Sequence, residues 1–303
     1  MARTGVILAR YTCTRDGRAL SGREQQEVLT RLNNAPPIAY RVRDPKPDDR
    51  TNYIIRPDAG ERRGRPFLTW QVCKELHQRT VRKVDRRNQK VTFDFEPTED
   101  CALARVVVLP GLGVLAAEDA SGENHIGGWS AIKRFEAMIE ALDESLEFSA
   151  ALAGTAQDLS RAIEKWELEK FSFEVRPFNP HPSSPGLILS DLLARDGIGK
   201  LNATAVPKQG GHIEPQTAGI VQETLGLAEQ GYAVYGAEGT TPSGAEARVK
   251  KPSFSFDRNR NLEKLRGPQQ LRVSVQAESE DDMIEKLADV LIDFFDTDEI
   301  DEA

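Results

Sequence analysis

Residues 104–117 read Ala104-Arg105-Val106-Val107-Val108-Leu109-Pro110-Gly111-Leu112-Gly113-Val114-Leu115-Ala116-Ala117. Two apolar runs rich in β-branched and aliphatic side chains flank a Pro-Gly pair. Proline presets φ at the first corner of a turn and glycine accepts the φ that other residues avoid, so the stretch predicts a hairpin. Neither run alternates with polar residues, which predicts central strands covered on both faces. Trp129, Ile132, Phe135, Ile139, Leu142 and Leu146 then recur every three or four positions and predict an amphipathic helix beside the hairpin. Val107, Leu115, Phe135 and Leu142 are therefore expected in the core.

Outward from this centre, strands and helices alternate without an internal repeat. Residues 5–12 predict a strand. Ser21, with Glu24 three positions later, is the signature of a capping box ahead of a helix carrying Val28, Leu29 and Leu32 on one face. Short strands at 38–42 and 53–55 are separated by the turn-forming stretch 44–49. Trp70, Val72, Cys73 and Leu76 sit at helical spacing and predict a short helix within 56–90. Toward the C-terminus the pattern predicts a helix over 156–170, a strand over 171–176 and a proline-rich loop over 179–186. A helix over 187–194, a strand over 200–206 and a helix over 215–230 follow. Strands at 232–237, 248–256 and 271–276 lead to a last helix over 279–295, with Met283, Leu287, Val290, Leu291 and Phe294 on one face. The expectation is an α+β protein, mixed sheets with helices packed on them, in two lobes covering 1–150 and 151–303.

Charge is distributed unevenly. Within 56–90, eleven cationic residues face four acidic ones, and arginine exceeds lysine eight to three. Guanidinium forks bind phosphates bidentately, and clustered cations release counterions from nucleic acid. Arg62, Arg63, Arg65, Arg79, Arg82, Lys83, Arg86 and Arg87 are the candidate phosphate contacts, and Trp70, with Phe67 nearby, is a candidate for stacking on a base. A solvated charged surface is the plainer alternative. From Glu278 to Glu302 there are twelve acidic residues and one lysine, a net −11 in a chain of −8, so everything before Glu278 carries +3. A polyanion tethered near a basic surface competes with nucleic acid at high effective concentration.

Catalytic signatures are missing from the sequence. It has no phosphate-binding P-loop, no dinucleotide fingerprint, no His-Glu-x-x-His and no nucleophile elbow. Cys13, Cys73 and Cys101 are odd in number and widely spaced, which implies buried or half-buried thiols and no disulfide framework. Four scattered histidines give no imidazole metal centre, and no cofactor is implied. Asp94 and Glu96, on one face of a strand, and Glu174 are the carboxylates open to a cation. No apolar run reaches the length of a membrane span or a signal peptide, so a cytoplasmic location is expected.

The order of the N-terminal strand–helix unit, the hairpin over 106–117 with its helix, and the block 171–206 followed by a helix and the strand 232–237 resembles RexA-like phage-exclusion proteins and related proteins of bacterial defence islands. The resemblance implies a homodimer that binds DNA with little sequence preference and serves abortive infection beside a membrane partner. It carries over no individual residue. The reading is a non-enzymatic, nucleic-acid-binding defence component. A protein–protein adaptor whose basic segment meets an acidic partner is the alternative, and a metal-dependent nuclease a further one.

Overall fold

The computed structural model describes residues 3–39, 51–76, 78–85, 90–98, 100–122, 124–176, 188–216, 219–252, 254–257, 262–265 and 270–296. The chain is α+β and divides into two compact units: Met1–Leu152 with Ala277–Leu291, and Ala153–Gln276 with Ile292–Ala303. Among the described residues no helix is long and apolar enough to cross a membrane.

The first unit contains β1 (Arg3–Arg15), β2 (Arg18–Ala19), α1 (Gly22–Thr30), β3 (Ile38–Ala39), β4 (Thr51–Arg62), β5 (Arg65–Glu75), β6 (Gln78–Asp85), β7 (Lys90–Pro97), β8 (Cys101–Leu109), β9 (Val114–Asp119), α2 (Gly128–Glu140) and β10 (Leu146–Leu152). Its sheet runs β1-β9-β8-β5-β4-β3, with β10 and β2 also paired to β1, while β6 and β7 form a separate ribbon. Every pairing is antiparallel.

The hairpin expected at 104–117 is β8–β9, with Val106 opposite Ala117 and Leu109 opposite Val114. Pro110–Leu112 make a single 3-10 turn, and Gly113 closes it at φ 63, a left-handed conformation that is cheap only without a Cβ. Val107, Val108, Leu115 and Ala116 have no exposed surface, so both faces of this pair are covered. α2 packs on β10, β9 and β8. Phe135 lies between Trp70 and Phe148, with ring centroids 5.3 and 6.0 Å away. The capping box of α1 forms as its spacing implies: Ser21 Oγ accepts from the Glu24 amide, and the Glu24 carboxylate accepts from the Ser21 amide. A hydrogen bond from Arg18, and then those from Ser21, hold the Glu24 carboxyl down at about 2.

Three expectations fail for identifiable reasons. α2 ends at Glu140 although the apolar period continues, because Asp143 Oδ1 accepts from the Ser145 amide and hydroxyl, a local turn that competes with another helical turn. Leu142 is consequently only half-buried and Leu146 belongs to β10. The segment around Trp70 is a strand. Its pairing with β4 and β8 overrides the helical spacing, and Leu68, Trp70 and Val72, two residues apart, share the core face. The helix placed over 156–170 stops at Ile163, and Trp166 and Leu168 lie beyond it, Leu168 within the following strand. The loop expected at 179–186 falls outside the described residues. Cys13 and Cys73 are buried and Cys101 half-buried, and burial first, then a hydrogen bond with Cys101, pushes the Cys73 thiol up to about 12.

The second unit contains α3 (Ala156–Ile163), β11 (Glu167–Val175), α4 (Ile188–Arg195), β12 (Leu201–Ala205), α5 (Ile220–Glu229), β13 (Ala233–Thr240), β14 (Glu246–Lys250), β15 (Phe254–Asp257), β16 (Leu262–Leu265) and β17 (Gln270–Gln276). Its antiparallel sheet runs β12-β11-β13-β14-β17. Phe171, Phe173, Tyr235, Val249 and Val273 form its buried face, and α5 packs on β13 and β11 with α3 and α4 beside it. The last helix, α6 (Glu280–Phe295), starts in the first unit and ends in the second.

Phe135 is fully buried at the meeting of hairpin, helix and aromatic partners. Phe135→Ala should therefore lower unfolding stability by about 3–5 kcal/mol in urea titration, the transfer loss plus the cavity left behind. A loss below about 1 kcal/mol would show that α2 does not seal this core.

Candidate nucleic-acid interface

The arginines that the sequence singles out occupy different places. β4 and β5 meet in a two-residue turn, with Arg62 opposite Arg65 and Arg63 and Gly64 both left-handed at φ 49 and 74. A β-bulge between Ile55 and Asp58 re-aims Arg56, itself at φ 50. These local devices point the hairpin's cations at α6. Arg62 forks onto Asp289, Nε to Oδ1 at 2.9 Å and Nη2 to Oδ2 at 2.8 Å, and its Nη1 reaches Glu285 at 2.9 Å. Arg63 Nε lies 3.0 Å from the same Asp289. Arg56 and Arg105 meet Glu280 at 2.6 and 3.4 Å. Asp289 is buried, and its hydrogen bond raises the proton affinity of Arg62. The hairpin tip is thus charge-compensated from within the unit by the acidic helix.

Trp70 cannot stack on a base. It is 1% exposed, lies against Phe135, and donates its Nε1–H to Asn33 Oδ1 at 2.8 Å. Phe67 is buried as well, over its cross-strand partner Gly60. Arg65 sits at the end of the turn in β5. Arg79, Arg82 and Lys83 are in β6, where Arg79 stands opposite Glu96, but their side chains lie outside the described part, as do Arg86 and Arg87 altogether. Asp94 shares β7 with Glu96, and its side chain is likewise outside the described part. At Glu174 burial opposes ionisation, but hydrogen bonds from Arg176 and Lys200, at 2.8 and 2.9 Å, hold the carboxyl below its usual range. Among the described residues no three His, Cys, Asp or Glu side chains gather as a metal site would need.

A different basic surface forms in the second unit. The face of its sheet opposite Phe171 and Phe173 carries a cross-strand row: Lys170 on β11 pairs with Glu238 on β13, Glu238 with Arg248 on β14, and Arg248 with Arg272 on β17. Four strands at about 4.8 Å spacing make this row about 14 Å long. Lys170, Arg248 and Arg272 are exposed, as is Lys250 two residues along β14. Glu238 bridges Lys170 at 3.6 Å and Arg248 at 3.1 Å. Arg248 and Arg272 face each other directly, a like-charge pairing that costs a sheet stability. No sequence motif marks these residues. The signal that could have found them is alternation: Arg248 lies between Ala247 and Val249, Lys250 follows Val249, and Arg272 lies between Leu271 and Val273, which sets the cations on the face opposite the apolar residues.

Asp289 is the buried member of the hairpin–helix contact, whereas Glu285 is half-exposed. Asp289→Ala should cost roughly 1.5–3 kcal/mol in urea unfolding, the contribution of hydrogen bonds to a charged group. Glu285→Ala should cost less than about 1 kcal/mol because water screens it, and equal losses would contradict this division. No protein-family model matches the chain, and no curated protein matches it.

Proposed function

We propose that this chain is a non-enzymatic, cytoplasmic nucleic-acid-binding protein that contacts phosphates through the open face of its second unit's sheet. The observation that carries the reading is the row Lys170–Glu238–Arg248–Arg272, in which Lys170 and Arg248 share one carboxylate and Arg248 opposes a second exposed arginine, Arg272. An external polyanion relieves that repulsion and gains charge-assisted hydrogen bonds. Side chains on a sheet face that reach phosphates and carry no base-reading partner give binding with little sequence preference. The resemblance of the sequence's element order to phage-exclusion proteins supports placing this activity in a defence module, as a homodimer working with a membrane partner.

Random-sequence DNA titrated by fluorescence anisotropy at increasing salt tests the reading. The log–log slope should be negative, roughly −2 to −4 for three or four phosphate contacts. Arg248→Ala and Arg272→Ala should each flatten it by about 0.7–0.9 and weaken all sequences alike. A slope near zero in the wild-type protein would remove the proposal.

A further inference from the structure

Beside the cationic row the sheet opens into a recess of about 190 Å³, bordered by Lys170, Ser172, Gly236, Arg248, Lys250 and Lys251. It exists because residue 236 has no side chain. A Cβ there would stand 2.8 Å from the Lys251 backbone nitrogen, 3.0 Å from the Val249 carbonyl oxygen and 3.0 Å from Ser172 Oγ. The first is a distance that real Cβ atoms essentially never show and the other two are tighter than most, so alanine would fill the floor of the recess and push on its walls. The Lys251 amide stands past the end of the β13–β14 ladder, whose last pair is Ala237–Val249. Ser172 Oγ adds a hydroxyl at the floor, 3.4 Å from the Gly236 carbonyl oxygen to which it donates. Four cations surround these two donors, and Glu238, the carboxylate on the rim, holds Lys170 and Arg248 in place.

A backbone amide, a hydroxyl and several cations converging on a space without an aromatic wall suit a compact tetrahedral anion, not a base. We propose that the Gly236 recess is a phosphate subsite that takes one backbone phosphate of a nucleic-acid strand, with the Lys251 amide donating to its oxygens and the Ser172 hydroxyl turning away from its long 3.4 Å bond to the Gly236 carbonyl oxygen to donate as well. Lys170, Arg248, Lys250 and Lys251 neutralise the bound phosphate. The subsite rests on the nucleic-acid reading above and gives the cationic row a fixed register on the strand.

Calorimetric titration of the full chain with inorganic phosphate, and with a short oligothymidine with and without a 5′-phosphate, tests the assignment. Gly236→Ala fills the floor of the recess, where the Lys251 amide and the Ser172 hydroxyl stand. Ser172→Val also fills it, with a β-branched side chain suited to a strand, and serves if the glycine variant fails to fold. Both should bind inorganic phosphate and oligonucleotide about tenfold or more weaker than the wild type, the scale of one lost charge-assisted contact. The 5′-phosphate should make no difference. An affinity gain from the 5′-phosphate that vanishes in Gly236→Ala would instead assign the recess to strand ends and overturn the backbone assignment. Wild-type oligonucleotide affinity retained in both folded variants would overturn the subsite while leaving the basic face as the binding surface. Failure of the wild type to bind the oligonucleotide at low salt would overturn that reading and the subsite with it.

Discussion

The Asp289 carboxylate, buried and gripped by the fork of Arg62 with Arg63 alongside, sets the electrostatics of the first unit. A buried carboxylate without partners would carry a large desolvation cost, and an arginine-rich turn without an acid would repel itself. Each half of the contact therefore requires the other. The Arg63-Gly64 turn, the bulge that swings Arg56 round, and the i, i+4 spacing of Glu285 and Asp289 are local features that bring the charges into register. α6 also buries Leu287, Val290 and Leu291 completely. Over 280–295 this acidic helix, anchored by its apolar face, is a fixed counter-charge, whereas the tethered polyanion expected from the sequence rests on the positions after Phe295. The acidic positions after Asp296 lie outside the described residues.

This compensation changes the meaning of the charge pattern. Along the chain, 56–90 is the most basic segment and 278–302 the most acidic. In space, Arg56, Arg62 and Arg63 find Glu280, Glu285 and Asp289, so the described tip of the most basic segment is engaged in internal ion pairs. The second unit's sheet holds fewer cations, yet there Lys170 and Arg248 share Glu238, and Arg272 meets another arginine across the strand pair. Uncompensated charge on an exposed face, not charge density in sequence, marks the surface suited to an outside phosphate.

What was legible in the sequence was local. The β8–β9 hairpin, the capping box at Ser21 and Glu24, and the apolar faces of α2 and α6 depend on residues a few positions apart. Trp70 misled because its neighbours satisfy both a helical and an alternating spacing, and only pairing with β4 and β8, more than thirty residues away for Val106, decides between them. The same holds for function. Arg62 and Arg63 look free in sequence because Asp289 is more than two hundred residues distant. The Gly236 recess is invisible there because it depends on where β14 crosses β13.

Hydrogen exchange of the full chain, with and without a random-sequence oligonucleotide at low salt, tests most directly where nucleic acid meets this protein. The account predicts new protection at the amides of 236–238, 246–251 and 270–276, with 56–66 unchanged because its arginines are already engaged by α6. Protection confined to 56–66, accompanied by loosening of 280–291, would contradict it and return the binding surface to the arginine hairpin.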